Sequence, residues 1–336
     1  MKEAMLYERL KDKEVRCQLC SHRCKIKPEK TGICGVRKNV DGTLYSLVYG
    51  RVIARHVDPI EKKPLFHFLP GSRSYSIATV GCNFRCDFCQ NFEISQMPRD
   101  QGIIMGDTMS PEEIVAEAKE ARAKTISYTY TEPTIYFELA YDCARLAVEE
   151  DIRNVFVSNG YMTKEALETI RPYLHAANID LKGDDRFYRR HCGARQSPVL
   201  ETLKNLKEMG IWLEVTTLLI PGENDSLDLV RELARFIKEE LGPGTPWHLS
   251  RFYPRYHLTG LPPTEVEKLA AARQIALEMG LRYVYTGNVP GDPGEKTYCY
   301  ACGRVIIDRF GFTITDYHLD EGRCSFCGAE IDGVWS

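Results

Sequence analysis

Between residues 72 and 292 the chain alternates short apolar, β-branched runs with longer amphipathic stretches. The runs are typical of buried strands, and most are bounded by Gly, Asn or Pro. The amphipathic stretches carry helix N-cap signals, namely Ser110-Pro111-Glu112-Glu113, Thr264-Glu265-Val266-Glu267, and Asp225 ahead of residues 226–241. The predicted strands cover residues 74–80, 126–131, 154–158, 177–181, 211–220, 247–252 and 282–286.

Alternation of strand and helix predicts an α/β fold in which helices cover a parallel sheet. Segment 72–292 has little room for eight units, so we expect a partial (β/α)6 TIM-like barrel with an open side. No GxGxxG or Walker A motif follows the first predicted strand, so a nucleotide-phosphate loop does not organise the fold. Composition shifts predict three domains: an N-terminal cysteine module (1–71), the barrel (72–292) and a C-terminal zinc-ribbon or rubredoxin-like module (293–336).

The composition of the chain disfavours several classes of protein. Of 336 residues, 43% are hydrophobic and 27% charged, and 44 basic against 47 acidic residues give a net charge of −3. This balance disfavours a strongly basic nucleic-acid binder, and we expect no nucleic-acid partner. No apolar run approaches the ~20 residues of a membrane helix, and the charged N-terminus lacks the apolar stretch of a signal peptide. We expect a cytoplasmic protein with no membrane contact.

Cysteine is the unusual component, with 13 residues. Only Cys143 and Cys192 stand alone. In a cytoplasmic chain, clustered cysteines are metal ligands more often than disulfides, and thiolates select zinc, copper(I) or iron–sulfur clusters. The sequence therefore predicts a protein with several metal sites. The three clusters are Cys17, Cys20, Cys24 and Cys34; Cys82, Cys86 and Cys89; and Cys299, Cys302, Cys324 and Cys327.

The central cluster, Cys82-x3-Cys86-x2-Cys89, directly follows the first predicted strand. Three thiolates at this spacing suit three irons of a [4Fe–4S] cube and leave the fourth iron open for a ligand. A three-cysteine zinc site with a distant fourth ligand is the alternative.

This motif, with the aromatic Phe88 before its last cysteine, resembles that of the radical S-adenosylmethionine (SAM) superfamily. More closely, the chain is similar to the radical-SAM proteins of the AmmeMemoRadiSam system, which are relatives of the pyruvate formate-lyase (glycyl-radical) activating enzymes. The resemblance also rests on the N-terminal CxxCxHxC block, Glu61-Lys62-Lys63-Pro64-Leu65 and Tyr128-Thr129-Tyr130-Thr131-Glu132-Pro133.

The resemblance implies that a [4Fe–4S] cluster reductively cleaves SAM to a 5′-deoxyadenosyl radical, which abstracts hydrogen from a protein or small-molecule substrate. It also implies a low-potential electron donor (flavodoxin or ferredoxin) and Memo-type and AMMECR-type partner proteins. One alternative is a glycyl-radical enzyme activase, and another is a non-catalytic iron–sulfur or zinc scaffold or electron carrier. Charged strand ends argue against the last alternative, because a mere electron carrier needs no polar pocket beside its cluster.

SAM contacts are implied at residues that end the predicted strands or follow them. Thr131 stands where relatives have glycine, and Thr216 where pyruvate formate-lyase activating enzymes tend to carry arginine. Structural alternatives remain: a carboxylate at a helix start, an Asn-Gly turn, a buried charge pair and a core histidine. The implied SAM-binding residues are Phe88, Glu132, Ser158, Asn159, Asp180, Lys182, Thr216 and His248.

The outer clusters have different spacings. Cys299-x2-Cys302 and Cys324-x2-Cys327 each precede a glycine, a zinc-ribbon pattern for which structural zinc is expected and rubredoxin-like iron is the alternative. The N-terminal set departs from the ferredoxin spacing, so zinc and an auxiliary iron–sulfur cluster both stay open, with His22 a substitute ligand.

Overall fold

Small antiparallel sheets form the start of the chain in the computed structural model, which describes residues 1–336. Two three-stranded sheets have the strand orders β1-β6-β5 and β2-β3-β4 once the strands are numbered along the chain. The strands are β1 (Lys2–Glu3), β2 (Tyr7–Arg9), β3 (Val15–Cys17), β4 (Lys25–Ile26), β5 (Arg37–Val40), β6 (Thr43–Ser46) and β7 (Arg51–Val52).

A mixed eight-stranded sheet forms the centre of the molecule. Its first strand in the chain, β8 (Ala54–Pro59), pairs antiparallel with the next, and seven parallel strands follow. Each of the seven strands predicted from the sequence is present, with its ends within three residues of the expected bounds. The parallel strands are β9 (Arg73–Ala78), β11 (Thr125–Tyr128), β12 (Arg153–Ser158), β13 (Ala176–Asp180), β14 (Trp212–Leu219), β15 (Trp247–Arg251) and β16 (Val284–Gly287), while β10 (Asp107–Thr108) pairs with β7.

Helices follow the first six parallel strands, so the sheet consists of six strand–helix units and a seventh strand. Strands β8 and β16 do not pair with each other, and the expected open (β/α)6 barrel is confirmed. No helix combines the length and the apolar run that a membrane crossing requires. The helices are α1 (Phe92–Ser95), α2 (Met97–Asp100), α3 (Pro111–Glu120), α4 (Phe137–Glu149), α5 (Lys164–Ile170), α6 (Asp185–Phe187), α7 (Ser197–Glu208), α8 (Leu227–Phe236) and α9 (Val266–Glu278).

Local capping signals predicted one helix start and missed two. Ser110 caps α3 in the expected capping box with Glu113. Thr264 does not cap α9, because its hydroxyl bonds to Phe252 N and Leu219 O instead. Asp225 does not cap α8, which begins after Ser226, whose hydroxyl accepts a hydrogen bond from the Leu229 amide. At α8 a neighbouring hydroxyl takes the place of the expected cap, whereas at α9 the Thr264 hydroxyl is engaged elsewhere and no side chain caps the start.

The C-terminal segment packs against the barrel through a shared core. Phe66, Tyr283 and Tyr285 contact the buried Cys299 and Cys324 in one apolar cluster. The Arg309 guanidinium lies 4.2 Å above the Phe66 ring and donates to Phe66 O at 2.9 Å. The strands of this segment are β17 (Thr297–Tyr298), β18 (Val305–Phe310), β19 (Thr313–Tyr317), β20 (Leu319–Asp320) and β21 (Arg323–Cys324).

Residues 60–68, which we term the floor segment, cross the inner face of the central sheet. Lys63 Nζ lies 2.5 Å from Ser76 Oγ on β9, and Asn178 on β13 donates to Pro64 O at 2.7 Å. Side chains two residues apart on a strand share a face, so the inner face that carries Asn178 also carries Asp180. The floor segment therefore lies beneath the residues at the carboxyl ends of the strands.

The floor segment is held by Glu214 of β14, a carboxylate with no exposed surface. Its two oxygens accept hydrogen bonds from the backbone amides of Phe66 and His67, at 3.0 and 2.8 Å. They also accept from Trp212 Nε1 at 3.1 Å and His248 Nε2 at 2.6 Å. Burial opposes ionisation, but these donors outweigh it, and the pKa of Glu214 lies below its ordinary value.

We predict that Glu214→Gln lowers the free energy of unfolding by about 1–3 kcal/mol, because an amide cannot accept all four hydrogen bonds and leaves a buried donor without a partner. Urea denaturation monitored by circular dichroism measures the change. The matched control, Glu120→Gln, alters an exposed residue of α3 and should keep wild-type stability. Equal stability of the two variants would contradict the role given to Glu214.

Candidate functional site

The cysteine loop (residues 81–89) leaves the carboxyl end of β9 through Gly81, which has a φ of +102°. A Cβ at Gly81 would lie 2.7 Å from Val36 Cγ1 and 3.2 Å from Cys34 O, so the turn requires glycine. The loop is thereby packed against the N-terminal segment. Carboxyl ends of parallel strands are the edge at which α/β barrels gather functional groups.

The three thiols of the loop are enclosed by protein, with Cys86 buried and Cys82 and Cys89 half-buried. Their sulfur atoms do not all lie within 4.8 Å of one another, a wider spacing than one metal ion requires. Phe84 N donates to Cys82 Sγ at 3.4 Å, and Ser95 Oγ lies 3.2 Å from Cys89 Sγ. Wide spacing and donors aimed at sulfur fit an iron–sulfur cluster.

Burial raises the pKa values of Cys82 and Cys89, because the surroundings disfavour an isolated thiolate. The pKa of Cys86 is raised first by the neighbouring Cys192 thiol and then by burial. A bound metal cluster supplies the positive charge that ionisation here requires. Cys192 lies 106 positions away in the chain from Cys86, and no sequence signal indicated that the two thiols meet.

The ends of β11 and β12 meet at Glu132, which has no exposed surface. Its carboxylate accepts hydrogen bonds from Ser158 Oγ, Asn159 N and Thr134 N at 2.8, 2.8 and 3.0 Å. Burial raises the pKa of Glu132 despite these donors. Asn159 Nδ2 in turn lies 3.8 Å from Cys82 Sγ, so three of the predicted residues form one network with the cysteine loop.

Tyr130, just after β11, takes a left-handed backbone conformation with a φ of +62°. That conformation is costly for a large side chain, and other contacts must offset it. The Tyr130 hydroxyl bonds to Asp58, and Asn91 Nδ2 donates to Tyr130 O at 2.7 Å. The residue with the glycine-like conformation is therefore Tyr130. Thr131, which stands where relatives have glycine, is the next residue in the chain.

The end of β13 brings a charge pair to the same edge. Lys182 Nζ lies 2.6 Å from Asp180 Oδ2 and 5.7 Å from the centre of the Phe88 ring. Burial opposes the charge of Lys182, but Asp180 and the nearby sulfur atoms outweigh it and raise its pKa. The Asp180 carboxylate is partly exposed, so this pair can still bind a polar ligand.

Thr216 and His248 lie in register with Asp180 on the next two strands. Thr216 pairs with Asp180 in register and donates to Asn178 Oδ1 at 2.8 Å. His248 is buried, with its Nε2 bonded to Glu214 and its ring 4.8 Å from that of Phe66. The structure thus gives His248 a contact with the floor segment, and no hydrogen bond joins it to the cysteine loop.

The outer cysteine sets differ in geometry. All four C-terminal sulfur atoms lie within 4.8 Å of one another, and the pairs Cys299–Cys327 and Cys302–Cys324 are 3.7 and 3.8 Å apart. A single tetrahedral ion bound at ~2.3 Å sets its sulfurs about 3.8 Å apart, so this set can hold one metal ion. The N-terminal sulfurs are not gathered in this way.

The chain is similar to known proteins in sequence and in fold. The sequence model of the Radical SAM superfamily matches residues 76–237. An uncharacterized protein of Methanocaldococcus jannaschii is 49% identical over 336 residues, which cover 99% of this chain and 100% of that protein. Another protein of that organism is named as a candidate glycyl-radical enzyme activating enzyme. It is 23% identical to this chain over 214 residues, which cover 62% of this chain and 78% of that protein. The crystal structure of a radical SAM methyltransferase from Sphaerobacter thermophilus shares the fold, with a TM-score of 0.51 and 18% sequence identity. The match covers 67% of this chain and 70% of that one.

We predict that Cys327→Ser removes one metal ion per chain and leaves the iron content unchanged. The reason is that a closed four-thiolate site loses most of its affinity when one ligand is lost, and the exposed Cys327 leaves no cavity in the core. Elemental analysis of zinc and iron measures the change. The matched control is the neighbouring exposed Ser325→Ala, which should keep the metal. Full metal content in Cys327→Ser would contradict the site.

Proposed function

The chain belongs to the radical SAM superfamily, and we propose that Cys82, Cys86 and Cys89 hold a [4Fe–4S] cluster that binds SAM at its open iron. The observation that carries this proposal is the wide, enclosed set of three thiols beside the Glu132–Asn159 network and the Asp180–Lys182 pair. Such a cluster supplies the electron that cleaves SAM to a 5′-deoxyadenosyl radical, which abstracts a hydrogen atom from the substrate.

The residues at the strand ends would bind and orient SAM. Lys182 supplies a positive charge for a carboxylate, and the partly exposed Asp180 can accept hydrogen bonds from hydroxyl or ammonium groups. Glu132 would act mainly by fixing Ser158 and Asn159, because both of its oxygens already accept hydrogen bonds. Phe88 packs beside Lys182, and Thr216 adjoins Asp180. His248, in register with Thr216, would act through its bond to Glu214 beneath the pocket.

The reaction beyond SAM cleavage has two candidate classes. A glycyl-radical enzyme activase is supported by the similarity to the M. jannaschii protein of that name. A different protein or small-molecule substrate, within an AmmeMemoRadiSam system, is supported by the motifs of the floor segment and by the two further cysteine sets, which a dedicated activase does not need. We favour the second class, with a flavodoxin or ferredoxin as electron donor.

Two further assignments belong to the proposal. We propose zinc at Cys299, Cys302, Cys324 and Cys327, because their spacing matches a single ion with closed tetrahedral ligation. We also propose a cytoplasmic location, because thiols in three cysteine sets need a reducing compartment to stay available for metal. The charged strand ends argue against a scaffold or electron carrier without SAM chemistry.

We predict that the dithionite-reduced protein forms 5′-deoxyadenosine from SAM, whereas the triple variant Cys82→Ala, Cys86→Ala, Cys89→Ala forms none and loses about four irons. Anaerobic purification, iron analysis and chromatography of the products give both quantities. The control is Cys143→Ala, which alters a buried cysteine of α4 outside the three sets and should retain iron and activity. Unchanged iron in the triple variant would refute the cluster assignment.

We predict that a Memo-type or AMMECR-type protein, labelled uniformly with deuterium, transfers deuterium into 5′-deoxyadenosine when it is incubated with the reduced enzyme and SAM. Mass spectrometry of the nucleoside detects the transfer. A deuterated glycyl-radical enzyme serves as the comparison partner. Transfer from the glycyl-radical enzyme alone would establish the activase instead.

A further inference from the structure

The N-terminal cysteines surround a cavity next to the cysteine loop. Cys17, Cys20, Cys24 and Cys34 line it together with Arg37. The wall on the barrel side is formed by Asn83, Thr134 and Ile135. Four thiols facing one space are a ligand set for a metal group.

The thiols of the N-terminal set are spaced more widely than those of the C-terminal set. In the C-terminal set all four sulfur atoms fall within 4.8 Å of one another, whereas no three ligand atoms of the N-terminal set do. The central set shows the same wide spacing. An iron–sulfur cluster keeps its thiolates farther apart than one ion does, because irons and bridging sulfides lie between them.

Two unpartnered donors on the cavity wall give an independent indication. Arg37 Nε and Asn83 Nδ2 are buried and have no hydrogen-bond acceptor, and both residues line the cavity. Buried donors without partners are costly and call for an unseen acceptor. The thiol sulfurs do not act as these acceptors, because no hydrogen bond joins them to Arg37 Nε or Asn83 Nδ2. Bridging sulfides of a cluster would provide acceptors within the cavity, whereas a zinc ion has none to offer.

The cavity is fixed in place by the surrounding structure. Arg37 forms a buried ion pair with Glu138 of α4, in which Nη1 donates to both carboxylate oxygens at 2.9 and 3.0 Å. His22 Nε2 lies 2.9 Å from Asn83 O, and Asn83 adjoins Cys82 of the cysteine loop. This contact engages one of the two ring nitrogens of His22, which lines the cavity beside the four cysteines. The two cysteine sets share Asn83 as a common wall.

We propose that Cys17, Cys20, Cys24 and Cys34 bind a second iron–sulfur cluster, and not zinc, directly beside the central one. This inference concerns a different site from the proposed SAM-binding cluster and does not depend on it. The four thiolates leave no open position, so this cluster is fully ligated by protein.

The test uses the full-length variant Cys82→Ala, Cys86→Ala, Cys89→Ala, in which the N-terminal set is unaltered. Purified anaerobically, it should retain about two or four irons per chain, according to cluster type, with an equal amount of acid-labile sulfide. Dithionite reduction should give the electron paramagnetic resonance signal of a reduced cluster. Adding Cys24→Ala and Cys34→Ala to the same chain should abolish the iron, the sulfide and the signal.

Different outcomes separate this inference from the proposed function. A triple variant that contains zinc in two sites and no iron or sulfide would overturn the second cluster. A triple variant that keeps all of the wild-type iron would support the N-terminal cluster and refute the central one. Cys327→Ser is the matched metal control, since it should change the C-terminal ion alone.

Discussion

The carboxylate of Glu214 is the contact on which the arrangement of the molecule depends. An ionised carboxylate without exposed surface is stable only when donors replace its lost hydration. Here two donors come from β14 and β15, and two are backbone amides of the floor segment. These four hydrogen bonds hold the floor segment against the inner face of the sheet at the level of Glu214. Phe66 and His67 then bind the C-terminal segment, through Arg309 and Val334.

Because the floor segment covers part of the inner face of the sheet, it determines which inward-facing side chains stay free at the carboxyl ends of the strands. Side chains of the inner face near the amino ends of the strands are used by the floor segment, and the next inward-facing positions remain for a ligand. On β13, Asn178 binds the floor segment while Asp180 faces Lys182. On β14, Glu214 binds the floor segment while Thr216 lies one step above it. A period of two along each strand thus separates structural residues from candidate functional ones.

Much of this arrangement follows from local sequence, and the remainder depends on contacts between distant residues. The seven parallel strands are predictable because short β-branched runs alternate with helical stretches, and strand ends place Glu132, Asp180 and Lys182 at one edge. Strand β8 and the floor segment were not predictable, since their role is defined only by pairing with β9 and Glu214. Likewise, Cys192 meets Cys86 only after folding.

The cysteine sets show most clearly that spacing along the chain does not determine how far apart the sulfur atoms lie in the fold. Cys17-x2-Cys20 and Cys299-x2-Cys302 have identical spacing along the chain, yet their sets differ in the separation of the sulfur atoms. In the C-terminal segment two short knuckles face each other, so the four thiols converge on a point. The N-terminal thiols instead line a cavity together with Arg37 of the same segment and with Asn83 and Ile135 of the barrel. The chemistry of a thiol set is therefore decided by the residues between and behind the ligands, which chain spacing does not report.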